Sequence, residues 1–202
     1  MSTPPEEPFQ RALIDALPWP VTTERLTMRP VEVGDAEALW DYRKHPSSSE
    51  WTSNRRLELE PYAAKFEDPE WRSKMLVIEL DGTIIGDLYV GIESGRAQDE
   101  VLEQARHTQA EIGWGLHPDQ QGHGYALEAV RALLRICFAP APDGLGLRRV
   151  VALCFSDNVP SWRLMEKVGM RREAHTVADC LHRTRGWVDG YAYGLLADEW
   201  RS

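Results

Sequence analysis

Trp114-Gly115-Leu116-His117-Pro118-Asp119-Gln120-Gln121-Gly122-His123-Gly124-Tyr125-Ala126 is the stretch on which the reading of this chain turns. Just upstream, Ala110 to Leu116 is a strand-like run that Pro118 stops. Downstream, Ala126, Ala129, Val130, Leu133, Leu134 and Cys137 recur at helical spacing and predict one buried stripe. Gly122 and Gly124 in between let the backbone turn sharply and approach a ligand closely. The first turn of the helix that follows has amide N–H groups without intrahelical partners, and the helix dipole adds to their pull on an anion. A strand that hands over to a helix through small residues therefore predicts a pyrophosphate grip over Gln121–Ala126. A plain strand-to-helix turn fits the same glycines. Two other phosphate loops do not: no Gly-Lys-Ser/Thr follows, and Ala126 comes one residue too early after Gly124 for a dinucleotide fingerprint.

Working outward, Leu26-Thr27-Met28-Arg29-Pro30 alternates as a strand, and a helix follows from Gly34-Asp35 with Ala36, Leu39, Trp40 and Arg43 in register. A loop over 46–56 leads to a second helical stretch at Leu59–Phe66. Met75–Leu80 and Ile84–Val90 read as strands joined by an Asp81-Gly82 hairpin turn. Residues 93–107 are polar and predict an elaborated hairpin tip or a short exposed helix. Arg149–Phe155 reads as a buried strand, Pro160 sits early in a helix that ends at Gly169, and two strands divided near Arg185-Gly186 complete the chain. This order predicts an α/β (α+β) domain over 22–202. Its sheet is mixed and mostly antiparallel, of about six to seven strands, with helices on both faces. Residues 1–21 are rich in Pro and Glu and read as a peripheral, mobile N-terminal arm.

The 202 residues suit one domain with a sizeable core. A net charge of −9 disfavours nucleic acid and anionic lipid as partners. It does not disfavour an anionic cofactor held by backbone amides. Cys137, Cys154 and Cys180 show neither zinc spacing nor a disulfide framework, which points to reduced thiols and a cytoplasmic protein without a metal. The segment MSTPPEEPFQ has no apolar run of the signal-peptide kind, and no stretch has the length of a membrane span.

The quoted stretch resembles the acetyl-CoA motif of the GNAT superfamily, hydrophobic-x-hydrophobic-x-Pro-x-x-(Arg/Gln)-Gly-x-Gly-x-(Gly/Ala), residue for residue across the loop. Asp157-Asn158-Val159-Pro160-Ser161-Trp162-Arg163-Leu164-Met165-Glu166-Lys167-Val168-Gly169-Met170 resembles the helix that follows in that family. Thr23–Pro30, Ala110–Trp114 and Gly186–Gly190 are similar to the branch of ribosomal-protein N-terminal acetyltransferases of the RimJ/RimL type. The resemblance implies a GNAT fold and an acyltransferase that moves the acetyl group of acetyl-CoA by direct transfer to a primary amine. The acceptor would be a protein N-terminus, an amino acid or another small-molecule amine, and the enzyme a monomer or homodimer. It implies cofactor contacts at Trp114, Leu116, Gln121, Gly122, His123, Gly124, Tyr125, Ala126, Asn158 and Ser161.

Amine acetylation needs a neutral amine, and an α-amine, with a pKa of about 8, needs only a modest base, whereas a lysine at about 10.4 needs more. Glu111, on the strand that opens beside the thioester in the family, is the candidate base; an outward-facing strand carboxylate is the competing reading. The family often places a tyrosine on the second helix to protonate the departing thiolate. Here Met165 stands in its place and has no proton to give. Ser161 is the remaining candidate near the sulfur. Met165 also suits a non-catalytic acyl-CoA sensor or scaffold, the alternative function. Trp40, Trp51 and Trp71 are candidates for an acceptor pocket or for helix packing, and Arg55-Arg56 for an acidic acceptor or the adenosine phosphate.

Overall fold

A computed structural model describes residues 9–52 and 58–201. Arg55 and Arg56, and the first eight residues of the expected arm, lie outside them. In chain order the elements are α1 (Phe9–Asp15), β1 (Val21–Thr22), β2 (Leu26–Pro30), α2 (Ala36–Arg43), α3 (Pro46–Ser49), α4 (Leu59–Ala63), α5 (Pro69–Arg72), β3 (Met75–Leu80) and β4 (Thr83–Glu93). They continue with β5 (Gln109–Leu116), α6 (Tyr125–Phe138), β6 (Arg149–Phe155), α7 (Val159–Lys167), β7 (Arg171–His182) and β8 (Gly186–Leu196). The 93–107 segment forms a 3-10 helix at Asp99–Ala105.

The strands form one eight-stranded sheet in the order β1-β2-β3-β4-β5-β6-β8-β7. Each described neighbouring pair is antiparallel except β5 with β6. The strand beyond the expected six to seven is β1, two residues long and too short to leave an alternation in the sequence. The β3–β4 turn is built as its dipeptide dictates, with Asp81 at φ 50° and Gly82 at φ 76°.

Strand alternation divides the apolar side chains between two cores. Leu76 and Ile78 of β3, Leu88 and Val90 of β4, Ala110 and Ile112 of β5, and Val150 and Ala152 of β6 pack on α6. Val77 of β3 packs on the opposite face with Leu39 and Tyr42 of α2, Tyr62 of α4 and Phe66. Helices therefore cover both faces. The α6 stripe is as its spacing requires from Ala129 to Cys137, widened by Ala132 and Ile136. The described part of 1–21 is packed rather than peripheral. Ile14 and Leu17 are buried in the α6-side core, and the Gln10 amide donates to the carbonyls of Ser73 (3.1 Å) and Val90 (2.6 Å). No helix among the described residues is long and apolar enough to cross a membrane.

Candidate active site

The site begins where the sheet splits. β5 pairs with β6 at Gln109↔Arg149, Ala110↔Val150 and Glu111↔Val151, and the pairing stops there. β5 stays on β4 as far as Leu116, and β6 stays on β8 as far as Phe155. Each strand thus keeps its outer partner while the two diverge. A cleft of about 1050 Å³ opens between Ile112–Leu116 on one side and Leu153 and Cys154 on the other. The inner edge of β5 there presents backbone groups without a strand partner, and such groups seek a hydrogen-bonding ligand.

The cleft runs into the loop. Gln121 Nε2 donates to the Leu116 carbonyl (3.4 Å), folding the loop back on its strand. Gly122 and Gly124 take φ values of 81° and 85°, the left-handed region in which a Cβ is strained. Gly124 is the N-cap of α6, so the free first-turn amides belong to Tyr125, Ala126 and Leu127, all of which line the cleft. The loop is braced from outside. Glu128 accepts hydrogen bonds from the Thr23 hydroxyl (2.5 Å) and from the Arg25 backbone (2.8 Å) and Nε (2.8 Å). Arg25 Nη1 also donates to the His123 carbonyl (3.0 Å), and its guanidinium lies 4.6 Å from the Tyr125 ring centroid. Burial alone would raise the Glu128 carboxyl, but the bonds from Thr23 and Arg25 outweigh it and hold the pKa below its ordinary value.

The other wall comes from α7. Asn158 is its N-cap and accepts from the Ser161 backbone (3.4 Å), and Pro160 occupies the first turn. The helix closes with Gly169 at φ 92°, Gly169 N donating to Glu166 O and Met170 N to Met165 O. Asn158, Ser161 and Met165 all line the cleft, and Met165 is buried. Burial, with the Cys180 thiol adding to it, raises the Cys154 thiol to about 11, so it is protonated at neutral pH.

At the far end α2 and α3 face the opening. Asp87, buried in β4, accepts from the Tyr42 hydroxyl and from Arg43 Nη2, and Arg43 Nε donates to the Tyr42 hydroxyl (3.1 Å). Burial opposes the Arg43 charge, but Asp87 and Tyr42 outweigh it and raise the pKa. Gly115 leaves room for this pair: a Cβ would sit 2.9 Å from Asp87 Oδ1 and 3.0 Å from Arg43 Nη2 and push on both. Glu111 faces this side of the sheet, half-buried at the last paired position before the split. Its pKa is raised, first by burial and then by Glu93. The Tyr89 hydroxyl lies over Gly91, where a Cβ would fall, and Gly91 is the strand partner of Glu111. Tyr89 lines the cleft; Glu111 is set behind it.

Of the residues expected at a site, the fold brings Trp114, Leu116, Gln121, Gly122, Gly124, Tyr125, Ala126, Asn158 and Ser161 around one cleft. His123 turns outward, exposed, its ring stacked on Tyr125 at 5.7 Å. Trp51 lines the opening, while Trp40 and Trp71 pack on the α2-side core. No local pattern marks Tyr42, Arg43, Tyr89 or the brace at Arg25 as part of a site. The one signal available was Asp87, a charge inside an otherwise apolar strand. No group of acidic, His and Cys side chains able to hold a metal occurs among the described residues.

The domain family described as acetyltransferase (GNAT) domain matches residues 25–171. The chain is 28% identical over 183 residues to the uncharacterized N-acetyltransferase YnaD of Bacillus subtilis (strain 168), covering 89% of this chain and 98% of that protein. It superimposes on a GNAT-family acetyltransferase from Bacillus anthracis with a TM-score of 0.69 and 27% identity, covering 89% of this chain and 99% of the other. Mycobacterium smegmatis RimJ in complex with CoA-disulfide matches with a TM-score of 0.71 at 22% identity, over 91% of both chains, a likeness of fold.

Proposed function

Because this chain belongs to the GNAT acetyltransferase family, we propose that it transfers the acetyl group of acetyl-CoA directly to a primary amine at the mouth of the split sheet. One observation carries this reading. The unpaired edge of β5 beyond Glu111 and the first-turn amides of α6 line the same cleft, so one groove offers backbone donors to a thioester arm and to a diphosphate. The residues present fit coenzyme A. Gln121, Gly122, Gly124, Tyr125 and Ala126 would hold the pyrophosphate, with His123 on the loop's outer side. Trp114, Leu116, Asn158 and Ser161 would flank the pantetheine arm. Bound there, the cofactor supplies an activated acetyl group.

The remaining steps fall to this chain's own side chains. Glu111 accepts a proton from the amine by way of Tyr89, which stands between it and the cleft. The amine nitrogen forms its bond to the acetyl carbon, with the backbone N–H of Leu116 polarising the carbonyl. The carbon–sulfur bond breaks, and the thiolate takes up a proton through Ser161, since Met165 offers none. The acceptor is a small-molecule amine or a protein N-terminus.

The test is release of free thiol from acetyl-CoA in the presence of a panel of α-amines and lysine-like amines. Thiol release equal to acetylated amine is expected. Absence of any calorimetric signal with coenzyme A or acetyl-CoA would remove the reading altogether. Met165 favours one second reading, a sensor that binds acetyl-CoA without turnover. Such a protein gives heat on binding and no thiol above background.

A further inference from the structure

One short segment lines the cleft at its open end, away from the loop that leads into α6. Ser47, Ser48, Glu50, Trp51 and Thr52 all line the opening. The helix in this segment is α3, four residues long, and local bonds include Ser48 N and Ser49 N to His45 O, the Ser49 hydroxyl to Pro46 O and the Thr52 hydroxyl to Ser49 O. A helix of this length does not hold itself in water. Something else fixes it.

The tip of the β7–β8 hairpin meets it from the far end of the chain. His182 is buried, and its Nε2 lies 3.0 Å from the Glu50 carbonyl oxygen. Its Nδ1 receives the Thr184 backbone N–H at 3.4 Å, so the ring proton sits on Nε2 and is donated to Glu50. The same ring packs against Trp51 and Phe155, with centroids at 5.2 and 5.4 Å. Arg183 Nη2 donates to the Thr52 carbonyl (2.5 Å). Arg185 donates to the Glu50 carboxylate (2.6 Å) and to that of Asp157 (3.3 Å), and lies 4.7 Å from the Trp51 ring centroid. The hairpin thus holds three consecutive residues of the segment by backbone, charge and ring contacts together.

We propose that His182 and Arg185 are positioning residues that clasp the 46–52 segment and so set the shape of the acceptor site, acting on acceptor recognition and not on cofactor binding. The proposal rests on the acetyl-transfer reading for its kinetic consequence and on geometry alone for the clasp. The clasp also accounts for a buried histidine at a hairpin end, where neither catalysis nor the sheet requires one.

The test compares His182→Ala, His182→Gln and Arg185→Ala with the parent chain. Deuterium exchange over residues 46–52 should rise at least tenfold in His182→Ala while α6 and β5 keep their protection. His182→Gln, which can still donate to Glu50, should recover part of that protection. With an amine identified by thiol release, the acceptor KM should rise about tenfold in both Ala variants, with the acetyl-CoA Kd within twofold of the parent. Arg185 is exposed, so its variant keeps the test open if His182→Ala does not fold. Unchanged exchange over 46–52 in folded variants overturns the clasp. Accelerated exchange with unchanged acceptor KM, or a parallel loss of acetyl-CoA affinity, overturns its role in acceptor recognition. A parent chain that turns over no amine sinks the transfer reading instead, and the exchange data still decide the clasp.

Discussion

Gly124 carries more of the proposed chemistry than any charged side chain in the loop. At φ 85° it turns the chain so that the next three amides face the cleft, and a Cβ there would lie 3.5 Å from Arg25 Nη2. The left-handed conformation costs an L side chain about 1–2 kcal/mol before any clash is counted. Gly124→Trp is therefore expected to abolish binding of coenzyme A as read by calorimetry, while the melting temperature falls only modestly; retained affinity would remove the loop assignment. Glu111 poses the complementary question. A base must be ionised to accept a proton, and burial beside Glu93 raises this carboxyl. Activity should therefore rise with pH through a limb that lies above the ordinary carboxylate value. Glu111→Gln should lose that limb and about 100-fold in kcat, the low end for a general base, with acetyl-CoA affinity unchanged. A variant with the parent's pH profile would exclude Glu111. The glycine loop was legible in the sequence because glycine spacing is a local property. That Glu111 sits behind Tyr89 was not, because it depends on the register of β4 against β5.

At the scale of elements, α6 is held by the β1–β2 connection as well as by its apolar stripe. The Thr23–Arg25 segment between β1 and β2 reaches over to Glu128 and His123, and so ties β2 to the first turn of α6 and the loop before it. Arg25→Ala should loosen the loop without unmaking the fold. Since the Arg25–Glu128 pair is partly exposed, the expected loss is about 1 kcal/mol. That appears as roughly fivefold weaker coenzyme A binding, with acceptor KM unaffected. The linkage has a sign. The Glu128 carboxyl is held below its ordinary value, so its contribution is complete above the unfolded pKa and disappears as pH falls through the folded one. An Arg25→Ala effect that persists unchanged into acid would rule out this brace. The strands from β2 to β8, the α6 stripe and the two ends of α7 were readable from periodicity and from Pro and Gly placement. The short α3 and α5 helices and β1 were not, since segments this short are fixed by what they touch and not by their own propensity.

Across the whole molecule, the sheet splits because two of its strands are each held more firmly from outside than by one another, and the two ends of the chain secure the halves. Near the N-terminus, Ile14 and Leu17 lie in the same core as α6. Ile14→Ala should cost about 2–5 kcal/mol, seen as a lower melting temperature for the entire domain; a loss confined to α1, with the melting point intact, would show that this segment is peripheral after all. Near the C-terminus, β8 holds β6, and its hairpin with β7 brings His182 against Glu50. What the sequence by itself determined were features of short range: the order of strands and helices, the hairpin at Asp81-Gly82, the glycine turn into α6 and the start of α7 around Pro160. Each depends on backbone sterics and side-chain periodicity within one turn or one strand. Only the tertiary structure decided where β5 leaves β6, that Asp87 and Arg43 share a buried site beside Gly115, and that a hairpin at the end of the chain clasps residues 50–52. These arise from pairings between distant residues, and such pairings are selected by the closure of the whole core rather than by any local pattern.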